Sequence, residues 1–192
     1  HAWMPTASFQ VVYGMTETSS PALLFPYDAP TSIFAGATGK PVPGVDAKIV
    51  DEDGREVASG QTGELLVRGA CVTQGYYGGA AGGPDDEGWL ATGDMAHANE
   101  EGMVWVVDRK KDMINRGGEN VYSVEVENAL AAVPGIAESA VIAVPDDVMG
   151  EKVGAVVVPA PGATLDAAEI VAALTGRLAD FKIPQFIHIA GE

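Results

Sequence analysis

The sequence is poor in basic residues and has almost no cysteine. Among its 192 residues, 27 are acidic and only 11 are Lys or Arg, which gives a formal net charge of −16. A protein that binds the phosphate backbone of nucleic acid needs a basic face, so this balance disfavours nucleic acid as a partner. It does not exclude a small anionic ligand, because a local basic cluster or a metal ion can override the net charge.

The single cysteine, Cys71, permits no disulfide within the chain, which is typical of a reducing compartment. We therefore expect a cytoplasmic protein. Cys71 lies near a strand-like run, so we interpret it as a small buried hydrophobic residue rather than as a nucleophile. No apolar run approaches the roughly 20 residues of a membrane-spanning helix. The first residues lack the charged lead of a signal peptide, and because position 1 is His, we expect the chain to begin within a longer protein or after processing.

The sequence up to about residue 107 has the pattern of strands and turns. The segment from Ser8 to Tyr13 is β-branched and aromatic, which predicts a short buried strand that ends at Gly14. Further strands are predicted at 47–50, 63–68 and 103–107. The Gly-containing turns between them indicate a small antiparallel barrel or a meander.

After Asp108 the pattern changes to an alternation of helices and strands. Ser123 is the predicted N-cap of a helix that Pro134 ends, and Thr164 is the predicted N-cap of a second helix. Apolar, β-branched runs predict strands at 137–144, 153–158 and 185–189. We therefore predict a mixed α/β fold in two parts, residues 1–107 and residues 108–192.

Three short motifs follow one another along the chain. They are Tyr13-Gly14-Met15-Thr16-Glu17, Thr92-Gly93-Asp94 and Asp108-Arg109-Lys110-Lys111-Asp112. Each could be an ordinary turn. Together they resemble the adenylate-forming enzymes: acyl-CoA synthetases, adenylation domains of peptide synthetases, and luciferases. The resemblance covers nearly the whole chain and is closest to a fatty- or aryl-acid:CoA ligase. It implies that residues 1–107 are the barrel-like end of a large AMP-binding domain, and that residues 108–192 are a small, mobile lid domain.

The first motif suits a nucleotide with its metal ion. A hydroxyl followed by a carboxylate at the end of a strand can serve a phosphate and Mg²⁺, which takes one or two protein carboxylates together with phosphate oxygens. The resemblance implies that Tyr13, next to Gly14, stacks on adenine, that Thr16 meets the α-phosphate, and that Glu17 helps to hold Mg²⁺. Thr16 and Glu17 are thus candidate catalytic residues. The alternative is a capped turn with a solvated acid.

The later motifs add further candidates for ATP binding. A buried Asp94 could accept hydrogen bonds from the two hydroxyls of ribose, as the family's matching aspartate does. The alternative is an Asx turn between strands. The resemblance implies that Arg109 also reaches the nucleotide and that Lys111 is the hinge of the lid, where a few residues absorb a large change in φ and ψ. The alternative for Lys111 is a surface lysine in a solvated turn.

The segment Arg116-Gly117-Gly118-Glu119-Asn120 points to the acyl acceptor. Two adjacent glycines allow the backbone to approach a ligand closely. In CoA ligases the matching loop lines the tunnel for the pantetheine arm, so the resemblance implies that Gly117 and Gly118 bind coenzyme A. The alternative is a hairpin turn before a helix. At Asn115 some relatives carry a lysine, and the role of that lysine does not transfer.

Two features of the family are not found in the sequence: the phosphate loop expected before Tyr13, and the adenylation lysine expected after Pro184. We therefore expect the 192 residues alone to be inactive, and the longer ligase to use a carboxylic acid, ATP and CoA. An adenylation module that loads a carrier protein and a non-catalytic nucleotide-binding module are the alternatives. A first strand without its sheet partners predicts self-association through residues 1 to 40, or disorder there.

Overall fold

One strand carries the chain from its first folded unit to its second. The computed structural model describes residues 10–19, 21–25, 32–34, 36–78 and 82–191. Residues 1–107 form the first unit and residues 108–192 the second. The identification of these units as the end of an AMP-binding domain and a lid stays a prediction. Part of the predicted self-associating segment, residues 1 to 40, lies outside the described residues.

A small three-stranded sheet opens the first unit. Its antiparallel strands lie in the order β1 (Val12–Tyr13), β2 (Leu23–Leu24) and β3 (Lys40–Pro41). The predicted strand from Ser8 begins outside the described residues. Gly39 has a φ of +134°, and a Cβ placed there would lie 2.3 Å from the Leu24 carbonyl carbon. Only glycine therefore allows β3 to approach β2 in this way.

The larger sheet of the first unit is a meander of four strands. They are β4 (Val45–Val50), β5 (Gly63–Gly69), β6 (Leu90–Ala98) and β7 (Val104–Arg109), in this order. The pairs β4–β5 and β5–β6 are antiparallel. Of the two predicted arrangements, the meander is therefore confirmed. Alternate residues of β5 are buried, and its Leu65 and Val67 belong to a cluster of Ala22, Leu23, Ile49, Leu65, Val67, Leu90, Ala96 and Val104.

The second unit is a mixed sheet with two helices, which confirms the predicted α/β class. Its strands are β8 (Ile114–Arg116), β9 (Glu119–Val121), β10 (Ile136–Asp146), β11 (Gly150–Pro159) and β12 (Phe186–Ile189). The order is β10-β11-β8-β9, and β12 pairs with β11 in parallel. The three predicted strands are present, and the two that form the β10–β11 hairpin extend beyond their predicted ends.

Both predicted helices are present, but both predicted caps are wrong. Helix α1 (Ser123–Ala131) has Tyr122 at its N-cap, because the Ser123 hydroxyl donates to the Asp108 carboxylate instead of capping. Helix α2 (Ala167–Leu174) is capped by Asp166 instead of Thr164, and the Asp166 carboxylate accepts from the N–H groups of Ala168 and Glu169. A carboxylate at this position is also stabilised by the positive end of the helix dipole.

The helices cover a buried core on the sheet. Its members are Ile114, Val121, Val126, Leu130, Val133, Val141, Val153, Ala155, Val157, Ile170 and Leu174. Apolar residues at intervals of three and four along α1, such as Val126 and Leu130, place one face of the helix in this core. Neither helix, nor any other helix among the described residues, is long and apolar enough to cross a membrane.

Candidate functional site

The first motif ends in one tight helical turn, Thr16–Thr18, directly after β1. The Thr18 side chain is fully buried, and its hydroxyl donates to the Met15 carbonyl at 2.9 Å and accepts from the Met15 N–H at 3.0 Å. Thr18 therefore closes the turn. Thr16 is exposed and Glu17 half-buried, so the two predicted ligand residues lie on the outer side of a fixed turn.

The structure brings the first and second motifs together. The Tyr13 hydroxyl donates to Oδ2 of Asp94 at 2.6 Å, although 81 residues separate them in sequence. Asp94 is only 6% exposed. Two residues that the sequence assigns to one nucleotide are therefore direct neighbours.

A bulge in β6 presents Asp94. Opposite Glu64 and Leu66 of β5 stand Met95 and Ala91, so the segment 92–94 faces a single residue of the partner strand. Gly93 has a φ of +73° within this bulge. The sequence predicted no strand here, because a glycine in this conformation breaks the regular alternation. Bulges of this kind re-aim side chains beside functional sites.

The bulge is held by Thr92. Its buried hydroxyl donates to the Leu65 carbonyl at 2.8 Å and accepts from the Asp94 N–H at 3.1 Å. The alternative of an Asx turn between strands is wrong, since residues 92–94 lie within strand β6. The Thr92-Gly93-Asp94 motif thus fixes the direction of the Asp94 side chain.

Tyr76 is a site residue that the sequence analysis missed. Its hydroxyl donates to Oε1 of Glu17 at 2.6 Å. This bond, followed by the backbone N–H of Glu17 itself, lowers the pKa of Glu17 below its ordinary value, and the same bond raises the pKa of Tyr76. Glu17 therefore stays ionised at neutral pH. A local signal existed in the tyrosine pair after Gly75, but nothing in it indicates which carboxylate Tyr76 contacts.

Glu17 and Tyr76 border a cleft of about 400 Å³. Its lining is mostly polar and comes from two segments: Thr16, Glu17, Ser19, Ala70, Cys71, Val72, Thr73, Gln74 and Tyr76. Cys71 is half-buried in this lining, so the prediction of a buried cysteine is wrong. The residue lies where the chain leaves β5, and one side of it faces the cleft.

The Glu17 carboxylate fits a magnesium ion that is bound together with a nucleotide. Among the described residues, no three His, Cys, Asp or Glu side chains cluster closely enough to hold a metal on their own. Mg²⁺ does not require such a cluster, because it takes one or two carboxylates and completes its shell with phosphate oxygens and water. Glu17 supplies one ionised, accessible carboxylate.

In the second unit, Asp108 has a structural role. Its carboxylate is 5% exposed and accepts from the N–H of Arg109 at 2.7 Å and from both the N–H and the hydroxyl of Ser123. It therefore anchors the start of α1. Sequence reasoning missed this role because Ser123 matched a capping pattern by itself.

The Arg109 and Lys111 side chains are exposed, at and beyond the end of β7. The N–H groups of Asp112 and Met113 both donate to the Arg109 carbonyl at 3.1 Å, which closes a turn around Lys111. A turn between two strands is a place where backbone angles can change. The structure does not test the hinge role of Lys111 or the nucleotide contact of Arg109, and both stay predictions.

Gly117 and Gly118 form the tip of the β8–β9 hairpin, with φ values of +63° and +91°. Two central residues with positive φ are typical of the tightest hairpin turns. The side-chain oxygen of Asn115 accepts from the Gly118 N–H at 2.9 Å, and the Gly117 N–H donates to the Met149 carbonyl at 2.8 Å. The hairpin alternative is thus confirmed as local structure, and the contact with CoA stays a prediction.

Lys182 is engaged within the second unit. Its Nζ lies 2.6 and 2.8 Å from the two carboxylate oxygens of Glu125, and its side chain is 19% exposed. This ion pair joins the turn Asp180–Lys182 to helix α1. Lys182 lies before Pro184, whereas the adenylation lysine of the family is expected after it, and the ion pair gives Lys182 a structural role.

Two family models match the chain. Residues 1–77 match the model described as AMP-binding enzyme, and residues 125–192 match the one described as AMP-binding enzyme C-terminal domain. The indoleacetate–CoA ligase of Aromatoleum aromaticum is 45% identical over 183 residues, which cover 94% of this chain and 36% of that protein. The fatty acid–[acyl-carrier-protein] ligase ScoC of Streptomyces coeruleorubidus is 39% identical over 92% of this chain and 35% of its own length.

Solved structures with the same fold contain nucleotide. The ATP-bound structure of MatB from Rhodopseudomonas palustris matches with a TM-score of 0.86 and 39% identity, covering 95% of this chain and 37% of that one. The o-succinylbenzoate CoA synthetase of Bacillus subtilis, in complex with ATP and a magnesium ion, matches with a TM-score of 0.84 and 32% identity, covering 94% and 37%. The chain therefore spans about a third of the length of the proteins it matches.

Proposed function

The chain belongs to the AMP-binding enzyme family, and we propose that it forms part of an ATP-dependent acid:CoA ligase. The observation that carries this proposal is the hydrogen bond between Tyr13 and Asp94. It joins the residue proposed to stack on adenine to the residue proposed to bind ribose. A nucleoside would meet both groups at one place, and the Thr16–Thr18 turn follows shortly after Tyr13 in sequence.

The proposed reaction has two half-reactions. In the first, a carboxylate oxygen of the acid attacks the α-phosphorus of ATP, the bond to the β-phosphate oxygen breaks, and pyrophosphate leaves. In the second, the sulfur of CoA attacks the carbonyl carbon of the acyl adenylate, the thiol proton is released, and AMP leaves. Both steps depend mainly on positioning and on offsetting negative charge.

The residues of the first unit act in the first half-reaction. We propose that Tyr13 and Asp94 orient the nucleoside and that the Thr16 hydroxyl donates to the α-phosphate. Glu17 would help to hold Mg²⁺, which offsets the charge on the phosphates when it is bound. Support comes from the ionised, accessible Glu17 carboxylate and from a relative whose structure contains ATP and magnesium.

The second unit supplies the proposed moving parts. Arg109 would reach the nucleotide, the turn at Lys111 would allow the lid to rotate, and the hairpin tip at Gly117 and Gly118 would line the path of the pantetheine arm. A rotation between half-reactions needs a few residues that tolerate new backbone angles, which an exposed, unbranched lysine does. We propose a cytoplasmic ligase whose substrate is a fatty or an aryl acid, in keeping with the names of its relatives.

A carrier protein is the second candidate for the acyl acceptor. The specific observation in its favour is the 39% identity to a ligase named for an acyl carrier protein. The adenylation chemistry would be the same, and only the thiol that attacks the adenylate would differ.

The test uses the full-length ligase with a panel of short aliphatic, long-chain and aryl acids, ATP and Mg²⁺. CoA or a phosphopantetheinylated carrier protein serves as acceptor, and both AMP and thioester are measured. We expect acid-dependent AMP with formation of acyl-CoA. Thioester on the carrier protein alone would support the second candidate, and no AMP with any acid would refute the proposed activity.

A further inference from the structure

The Tyr76 hydroxyl binds the carboxylate that we assign to the metal ion. The donor–acceptor distance to Oε1 of Glu17 is 2.6 Å, and 59 residues separate the two side chains in sequence. A hydroxyl that donates to an ionised carboxylate makes a charge-assisted bond, which is shorter and stronger than a bond between neutral groups. This contact therefore fixes the orientation of the Glu17 side chain.

A second hydrogen bond ties the same loop to the same residue. The Thr73 N–H donates to the Glu17 carbonyl at 2.7 Å. The Thr73 hydroxyl in turn donates to the Gly75 carbonyl at 3.0 Å and accepts from its N–H at 3.3 Å, which shapes the backbone just before Tyr76. Backbone and side chain of Glu17 are thus both held by one short segment, 73–76.

We propose that Tyr76 is a positioning residue for the divalent cation. It engages Oε1 of Glu17, so that the carboxylate presents Oε2 and binds the cation through one oxygen. The proposal rests on the proposed function, because it takes Glu17 as the metal-binding residue. Mg²⁺ needs near-octahedral geometry and keeps several waters. A carboxylate that offers a single oxygen therefore suits Mg²⁺ better than a carboxylate that can chelate the ion with both oxygens.

The neighbouring tyrosine provides a matched control. Tyr76 is 43% exposed, whereas Tyr77 is fully exposed. Both residues lie in the same loop and have the same chemistry, and the structure places only the Tyr76 hydroxyl on Glu17. Loss of the hydroxyl at 76 should therefore change metal binding, and loss of the hydroxyl at 77 should not.

The experiment measures ATP binding to the full-length ligase by calorimetry, without acid, in MgCl₂ and in EDTA. The readout is the factor by which Mg²⁺ tightens ATP binding. Groups that orient a metal ligand typically affect metal affinity by about 10- to 100-fold, so we expect Tyr76→Phe to reduce this factor by about tenfold. Binding in EDTA should not change, and Tyr77→Phe should match the wild type.

Further variants separate the possible failures. Glu17→Gln should lose most of the Mg²⁺ effect; if it keeps the full effect, the metal role of Glu17 in the proposed function is wrong. If Glu17→Gln loses the effect and Tyr76→Phe keeps it, the proposed function stands and the positioning role is overturned. Tyr76→Leu removes the same hydroxyl with different packing and should reproduce the loss seen with Phe. If Tyr76→Phe and Tyr76→Leu weaken ATP binding by the same factor in EDTA as in MgCl₂, Tyr76 is a purely structural residue and the positioning role is overturned.

Discussion

The polar side chains of the motifs are used differently in the two units. In the first unit they bind each other across long stretches of sequence, as Tyr13 does with Asp94 and Tyr76 with Glu17. In the second unit Asp108 and Asn115 bind backbone groups and hold a helix start and a hairpin tip. The first arrangement orients side chains towards one another, with Glu17 and Tyr76 beside a cleft, and the second fixes the shape of the backbone.

The two arrangements suit two different tasks, ligand binding in the first unit and domain movement in the second. A group that orients a nucleotide must point in a fixed direction, and the bulge in β6 gives Asp94 such a direction. A domain that changes position during a reaction needs rigid pieces joined at a few flexible residues. We therefore expect changes at Asp94 in the first unit to weaken ATP binding. Changes at Asp108 and Lys111 in the second unit should affect stability or the second half-reaction.

The largest expected effect is the loss of ATP binding in Asp94→Ala. The change removes a side chain that can accept hydrogen bonds from the ribose hydroxyls, which we expect to weaken ATP binding by about 10- to 100-fold. Calorimetric titration of the full-length ligase measures it. Asp53→Ala is the control, because Asp53 lies in an exposed ion pair with Arg55. Wild-type affinity in Asp94→Ala would show that Asp94 is not a nucleotide ligand.

Removal of Asp108 should destabilise the second unit. Asp108→Ala leaves the Ser123 N–H and hydroxyl in a buried site without this acceptor, which we expect to cost about 2 to 3 kcal/mol. Chemical denaturation of the 192-residue chain, followed by a probe in residues 108–192, measures this. Asp112→Ala changes an exposed acid of the same motif and should have little effect. Equal stability of the two variants would contradict the anchoring role.

Lys111→Pro should separate the two half-reactions. Proline fixes φ and removes the N–H, so the turn should lose its freedom to change. We expect adenylate formation to continue and thioester formation to slow by about tenfold or more, since small errors in position are costly to a reaction rate. Lys111→Ala keeps the backbone free and should resemble the wild type. Equal losses in both half-reactions of a folded Lys111→Pro protein would refute the hinge role.

The smallest expected effect concerns acid stability of the β10–β11 hairpin. A hydrogen bond from Lys152, at 2.5 Å, and one from the Met149 N–H lower the pKa of Asp146 from 3.8 to about 2. Because the folded state favours the ionised form, this stabilisation is present above about pH 4 and is lost as the pH falls through about 2.

Asp146→Asn should therefore lower stability slightly at pH 5, and the difference should shrink as the pH falls to about 2 and vanish below it. Urea denaturation of the 192-residue chain across this range measures the change. Asp147→Asn, at the adjacent exposed position, is the control. A difference between wild type and Asp146→Asn that stays constant from pH 5 to pH 2 would contradict the assignment.

The regular elements could be predicted from the sequence, and the contacts between distant residues could not. Period-two and helical patterns predicted β5, β7, β11 and both helices. Strand β6 was missed because a bulge at Gly93 interrupts its alternation. The caps at Ser123 and Thr164 were wrong because Asp108 and Asp166 offered stronger hydrogen bonds.

In the candidate site, too, the local motifs could be predicted from the sequence and the contacts between distant residues could not. Motif order identified Tyr13, Glu17 and Asp94, and their predicted roles as ligands stay untested. The hydrogen bond from Tyr76 to Glu17 joins residues 59 positions apart, and it depends on how a loop after β5 folds back. No local pattern contains that information.

Acid-dependent exchange of labelled pyrophosphate into ATP, measured without CoA, tests the central claim most directly. It reports only the reversible formation of an acyl adenylate, so the identity of the acceptor does not affect it. We predict exchange by the full-length ligase with at least one fatty or aryl acid, and none by the 192-residue chain alone. No exchange by the full-length ligase with any acid, or equal exchange by the 192 residues alone, would contradict this account.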